Sequence, residues 1–279
     1  MFELLDYDFM RMALVAAVFT GLAAPAIGTF LVQRRLALLG DGLGHVALTG
    51  VALGLLTGIA PVITAVVVAS IGAVVIELLR MYARTSADVA LAMLFYGGIA
   101  GGVMLADLAG EGAAKLNTFL FGSITTVSAI DLAVVAVLGV IVIALSIGLS
   151  PQLFAVCQDE EHARVSGVPV RAYSILIAIL AAVTITVAMR TVGLLLVSAL
   201  MVVPVAASQQ LTKSFRTTHL AAMAIGLIAA LGGLVTSYQI ETQPGPTIVM
   251  IALAIFAVAA FAGALMRRAR GRHRPVDYA

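Results

Sequence analysis

The chain has 279 residues, of which 62% are hydrophobic and 11% are charged, and its formal net charge is +2. Soluble globular domains carry about 25% charged residues, so this composition excludes a water-soluble protein with an ordinary polar surface. The single cysteine, Cys157, excludes an intrachain disulfide and any metal site built from several cysteines.

Long apolar stretches recur along the chain, and each is long enough to cross roughly 30 Å of hydrocarbon. Backbone amides in lipid must be paired within the chain, so these stretches are predicted to be helices. The predicted fold is an all-α polytopic membrane protein with about nine transmembrane helices, and eight is the alternative, because the first stretch and the pair in 171–211 admit another division. The stretches are 10–33, 36–57, 59–80, 87–108, 129–150, 171–190, 192–211, 217–238 and 246–266.

The positions of the basic residues assign the connections between these stretches to two sides of the membrane. With nine spans, most of them fall on one side, which the positive-inside rule makes cytoplasmic. We therefore expect a transmembrane domain at 1–266 and a basic cytoplasmic tail at 267–279. The residues on that side are Arg34, Arg35, Arg80, Arg84, Arg164, Arg171, Lys213, Arg216 and the arginines from Arg267 to Arg274.

Two connections are longer than the rest. The outer one contains the short apolar segment 116–122, which is predicted to be re-entrant or interfacial. The inner one, 151–169, has good helix formers followed by Gly167 and Pro169, so we predict one short cytoplasmic helix there.

The second stretch carries a carboxylate and an imidazole. Asp41 and His45 are four residues apart, which places them on one face of a helix, one turn from each other. Both groups bind divalent transition metals, and polar residues inside a membrane span are costly and mark functional sites. The alternative is structural: Asp41 caps the helix and His45 is a hydrogen-bonded core residue.

Gly50, Gly54 and Gly58 follow on the same helix at every fourth position. A stripe of small residues lets a neighbouring helix approach closely. This stripe lies roughly opposite Asp41 and His45, so one face is predicted to pack and the other to line a pathway.

The stretch from Arg34 to Leu48 resembles the signature of the permeases of bacterial ATP-binding-cassette importers for zinc, manganese and iron. Three other stretches are similar to that family in order and spacing, and together they cover almost the whole chain. They are 120–124 (Leu-Phe-Gly-Ser-Ile), 201–207 (Met-Val-Val-Pro-Val-Ala-Ala) and 244–249 (Pro-Gly-Pro-Thr-Ile-Val).

The resemblance implies metal-contacting roles for Asp41 and His45. It also implies an ATPase-docking role for Glu161, Ala163 and Gly167 in the cytoplasmic connection. Implied partners are a second copy of the chain, a dimer of cytoplasmic ATP-binding subunits, an extracytoplasmic metal-binding protein and the lipid of the cell membrane, with no nucleic acid. Manganese-type members often have a proline shortly after the histidine, and its absence here favours zinc as the cargo over manganese.

This chain has no Gly-x-x-x-x-Gly-Lys-Ser/Thr loop, so we expect ATP hydrolysis in the separate subunit and no permanently bound cofactor here. Two rival functions remain open: a stand-alone proton-coupled metal transporter, and a membrane enzyme that holds a catalytic metal at Asp41 and His45. The histidines His162, His219 and His273 are expected on the cytoplasmic surface.

Overall fold

The computed structural model describes residues 8–82, 87–110, 119–122, 129–189 and 192–271. Regular structure within these ranges is helical, as predicted. In chain order the helices are α1 (Asp8–Gln33), α2 (Leu39–Thr57), α3 (Pro61–Tyr82), α4 (Ala87–Leu108), α5 (Ala129–Gly148), α6 (Ser150–Gln158), α7 (Glu160–Val165), α8 (Val170–Ala188), α9 (Leu194–Leu211), α10 (Phe215–Gln239) and α11 (Pro244–Gly271).

Each of the nine predicted apolar stretches coincides with one long helix of the described chain. Eight of these helices are long and apolar enough to cross a membrane, counted over the described residues. The ninth, α9, is an 18-residue helix that begins directly after Gly193, whose φ of +87° places it outside the helix.

Helices α1 and α2 form the centre of the molecule. In each, 72% of the most apolar 18-residue stretch is buried, against 22% in α4 and α11. Close crossings hold the centre together: a Cβ on Gly226 of α10 would lie 2.3 Å from the Pro25 ring of α1, and one on Gly28 would lie 1.9 Å from the carbonyl oxygen of Met201. Without those glycines the backbones could not approach so closely.

One end of the bundle gathers the basic residues. Arg34 and Arg80 meet at Glu160, the Arg171 guanidinium lies 5.5 Å from the centre of the Tyr82 ring, and Arg267 donates to Gln210 over 3.4 Å. We call this the basic end. Helix α11 extends to Gly271, past the predicted boundary at 266, and residues 272–279 of the predicted tail lie outside the described residues.

The connection 151–169 forms two short helices instead of the predicted one. The break is Asp159, which is extended at φ −156° and whose carboxylate accepts hydrogen bonds from the backbone N–H groups of Glu161 and His162, at 2.9 and 3.0 Å. An aspartate in this conformation caps a new helix better than it continues an old one. Of the predicted re-entrant segment, residues 116–118 lie outside the described residues, and 119–121 form one helical turn.

Candidate metal site

Helix α2 begins at Leu39, so Asp41 is its third residue. The residue before the helix is Leu38, and no side chain caps this end. The alternative in which Asp41 caps the helix is therefore wrong. Its carboxylate instead lies in the first turn, where the helix dipole favours a negative charge.

The packing around α2 leaves one sector for Asp41 and His45. A Cβ on Gly40 or Gly44 would meet side chains of α9, and one on Gly42 would meet side chains of α4. At about 100° per residue, Asp41 and His45 lie in the sector between these two contacts, about 40° apart. The two candidate ligands thus share the face of α2 that is bounded by α4 and α9.

His45 is buried, with 8% of its surface exposed. Its ring stands edge-on against Phe95 of α4, with the ring centres 4.4 Å apart and the planes at 79°. Among the described residues its Nδ1 atom has no hydrogen-bond partner. Buried polar atoms are normally satisfied, so this nitrogen is a donor atom that the described protein groups leave available.

Asp41 is half-buried and lines a cavity of about 290 Å³ between α2 and α4. Phe95, Tyr96 and Leu38 also line this cavity, and Tyr96 and Leu38 are 70% and 66% exposed. The Asp41 cavity therefore opens on the surface of the chain. Phe95 links the two candidate ligands, because it lines this cavity and contacts the ring of His45.

A single chain offers too few ligands for a closed metal site. Within the residues that the structure describes, no group of three or more His, Cys, Asp or Glu side chains is placed to hold a metal ion. Structural zinc sites are four-coordinate, so one carboxylate and one imidazole fill half of such a shell.

The three glycines of the α2 stripe have two different roles. A Cβ on Gly50 would lie 2.6 Å from the Ala65 Cα atom of α3, and one on Gly54 would lie 2.8 Å from the Pro61 Cα atom. These two glycines face α3, on the side of α2 away from Asp41. Gly58 takes no part in this contact: a Cβ there would meet nothing within 4 Å in the described chain, and its φ of +73° ends the helix.

The predicted docking residues occupy different surroundings on α7 and the turn after it. Glu161 and Gly167 are exposed. Ala163 is 1% exposed and packs with Val156 and Val170, so it anchors α7 to its neighbours. The sequence reasoning missed Val165, which is 90% exposed at the end of α7.

A cluster of four charged side chains, Arg34, Glu77, Arg80 and Glu160, lies beside this segment. Arg80 bonds to both oxygens of Glu77, at 2.7 and 3.0 Å, and to Glu160 at 3.1 Å. Arg34 donates to Glu160 and lies 3.8 Å from Glu77. The sequence signalled only the Glu77–Arg80 pair, because the partners in the other pairs belong to segments that are distant in the chain.

His219 is not a surface residue as expected. It is 3% exposed in α10, with its ring stacked on Phe215 at 5.8 Å and near Phe30 at 5.4 Å. His219 faces inward from the first turns of α10, beside the end of α1. The prediction relied on nearness to the basic loop, which does not determine the direction of a side chain.

The similarity of this chain to known proteins covers nearly its whole length. The profile of the ABC 3 transport family matches residues 6–263. The chain is 32% identical over 275 residues to the manganese transport system membrane protein MntC of Halalkalibacterium halodurans, covering 97% of this chain and 94% of that protein. It is 27% identical over 255 residues to the high-affinity zinc uptake system membrane protein ZnuB of Haemophilus influenzae, covering 91% and 98%. The structure of PsaBC from Streptococcus pneumoniae in complex with Fab matches with a TM-score of 0.83 at 28% identity, covering 92% of each chain.

Proposed function

Because the chain belongs to the ABC 3 transport family and is the membrane permease of an ATP-binding-cassette metal importer, we propose that Asp41 and His45 line the route of the transported cation. The observation that carries the proposal is the buried imidazole of His45, whose Nδ1 is unpartnered among the described residues, one turn from a carboxylate that lines an open cavity. An imidazole and a carboxylate are the nitrogen and oxygen donors that divalent transition metals prefer.

A second copy of the chain completes this site in our proposal. Two chains related by a two-fold axis along the open face of α2 and α4 would bring together two Asp41 and two His45 side chains. That set supplies the four donors of a tetrahedral shell. A transport site must also release its ion, so a shell divided between two subunits that move apart suits the task.

The basic end faces the cytoplasm in this proposal, because basic loops are retained on that side. A dimer of ATP-binding subunits docks there on α7 and the following turn, with Glu161, Val165 and Gly167 in contact and Ala163 holding α7 in place. ATP hydrolysis takes place in those subunits, and an extracytoplasmic binding protein delivers the metal to the opposite end. The C-terminus is then cytoplasmic in a cell-membrane protein.

Zinc is the proposed cargo, since an imidazole nitrogen favours zinc over harder ions. Manganese is the second candidate, because MntC is named for manganese transport and carboxylate oxygens suit that ion. Competition between the two ions during uptake decides the assignment. If excess manganese abolishes zinc uptake but excess zinc does not abolish manganese uptake, zinc is not the preferred cargo.

The test of the route is metal uptake into proteoliposomes that hold the permease, its ATPase and its binding protein. Asp41→Ala and His45→Ala are each expected to lower uptake at least about tenfold, since even residues behind a ligand cost 10- to 100-fold in metal affinity. Val67→Ala, at an exposed position of α3, is the control. Undiminished uptake in both site variants would end the assignment, and uptake without any ATPase would favour a stand-alone transporter.

The docking surface has its own test. Val165→Ala removes an exposed apolar side chain and is expected to weaken co-purification with the ATPase without changing the melting temperature. Ala163→Leu would overpack a buried position, so it is expected to lower the melting temperature as well. If the ATPase binds Val165→Ala as tightly as wild type, α7 does not dock through this residue.

A further inference from the structure

The four-residue cluster at the basic end joins three separate elements. Glu160 begins α7, Arg34 follows α1, and Glu77 and Arg80 lie in the last turns of α3. Two guanidinium groups and two carboxylates balance in charge, which is the condition for burying such groups. Movement of α7 is therefore tied to the ends of α1 and α3.

Burial within the cluster is uneven. The side chains of Arg34 and Glu77 are 4% and 3% exposed, whereas those of Arg80 and Glu160 are 25% and 40% exposed. Separating the buried pair would leave a charge uncompensated in the interior, which is strongly unfavourable. Glu160 is the member most open to water, so its carboxylate is rehydrated when α7 moves. Arg34 and Arg80 are then left to share Glu77. Glu160 is the detachable member of the cluster.

The cluster also borders the route proposed above. Glu77 and Arg80 line a cavity of about 110 Å³, and Leu38 and Leu91 line both this cavity and the larger one that contains Asp41. These two leucines are thus a common wall between the Asp41 cavity and the ion-pair cluster. Leu38 directly precedes α2, and Leu91 lies in the second turn of α4.

We propose that Glu160 is a positioning residue that couples α7 to the wall formed by Leu38 and Leu91. While Glu160 is bound to Arg34 and Arg80, the ends of α1 and α3 hold the connection 34–38, and with it Leu38, in place. When the ATPase draws α7 away, Glu160 detaches, the connection shifts, and the Asp41 cavity opens towards the basic end. This inference rests on the proposed function, because it assumes that α7 is where the ATPase acts.

The first test uses the complete transporter in proteoliposomes and compares wild type with Glu160→Gln. The amide keeps the shape and removes the charge. Assembly and ATP hydrolysis are expected to persist, while the amount of metal imported per ATP falls about 2- to 30-fold, the range expected for loss of one coupling interaction. Glu241→Gln, the same change at an exposed position near the opposite end, is the control.

An unchanged ratio of metal to ATP in Glu160→Gln would overturn the proposal. So would a parallel loss of assembly, ATP hydrolysis and import together, because that pattern indicates a structural role alone. Glu160→Asp, which retains the charge, is expected to restore part of the metal import per ATP that Glu160→Gln loses.

A second measurement does not depend on transport. In the permease carrying Cys157→Ser and Leu91→Cys, the introduced thiol reports on the wall through its reaction with a charged, water-soluble maleimide. Adding Glu160→Gln is expected to raise the labelling rate about threefold or more. An unchanged rate would overturn the role of Glu160 even if wild-type import is normal. If the rate rises while wild type imports no metal, the proposed function fails and the mechanical link stands.

Discussion

The ring of His45 lies edge-on against the ring of Phe95, and this contact joins the helix that holds both candidate ligands to its neighbour α4. An aromatic pair of this kind contributes about 0.5–1.5 kcal/mol beyond the area it buries. Phe95→Leu is therefore expected to weaken metal binding about 2- to 10-fold, because His45 loses the contact that orients it. Equilibrium metal binding to the detergent-purified complex measures this, and unchanged affinity would contradict the orienting role.

The close approach of α4 to α2 depends on Gly98. A Cβ at this position would lie 2.6 Å from the His45 carbonyl carbon and 2.7 Å from the Val46 nitrogen. Gly98→Ala is expected to destabilise the protein by about 1–3 kcal/mol and to displace the candidate site. Gly232→Ala in the middle of α10 is the matched control, since its Cβ would have the nearest atom 4.0 Å away. Equal melting temperatures for the two variants would refute the packing argument.

The thiol of Cys157 is predicted to be unreactive in the folded protein. Burial raises its pKa from 9.0 to about 12, even though Arg34 and Arg80 oppose the shift. The reactive thiolate is then about 1000-fold scarcer at neutral pH than for an ordinary cysteine. Maleimide labelling at pH 7 should be slow until detergent unfolding, while an introduced Val165→Cys on a Cys157→Ser background reacts at once. Rapid labelling of native Cys157 would show that α6 opens in solution.

Acid should weaken the attachment of α7. Burial opposes ionisation of Glu160, but the hydrogen bonds from Arg80 and Arg34 outweigh it and hold the pKa of this carboxyl below its ordinary value of 4.5. Because the folded pKa is the lower one, the stabilisation is fully present above pH 4.5 and is lost as the pH falls through the folded value. Wild type should therefore have a higher melting temperature than Glu160→Gln at neutral pH, and the two melting temperatures should converge as the pH falls below the folded pKa of Glu160. A difference that is constant with pH would exclude the ion pair as its source.

Local patterns predicted the helices and one face of the candidate site. The apolar stretches place the nine long helices within a few residues, and the four-residue spacing of Asp41 and His45 places both on one side of α2. Such predictions succeed because they depend on residues close in sequence. The break at Asp159 had a local signal as well, an aspartate directly before Glu160 and Glu161, which is typical of a helix start.

The relations between distant helices could not be predicted in this way. Arg34 and Glu160 are 126 positions apart, and nothing in the periodicity of either segment reports the rotation of α1 against α7. The same holds for the Phe95 contact of His45 and for the inward direction of His219. These features depend on how whole helices cross, which is decided by packing over many residues at once.

The helix end at Gly58 has a practical use. Residues 56–60 are exposed at the end of α2 away from Glu160, and Gly58 has open space around its α-carbon. A short epitope inserted there would disturb no packed neighbour in the described chain. Antibody access to that tag in intact cells would report directly which side of the membrane this turn occupies, and with it the orientation of every helix.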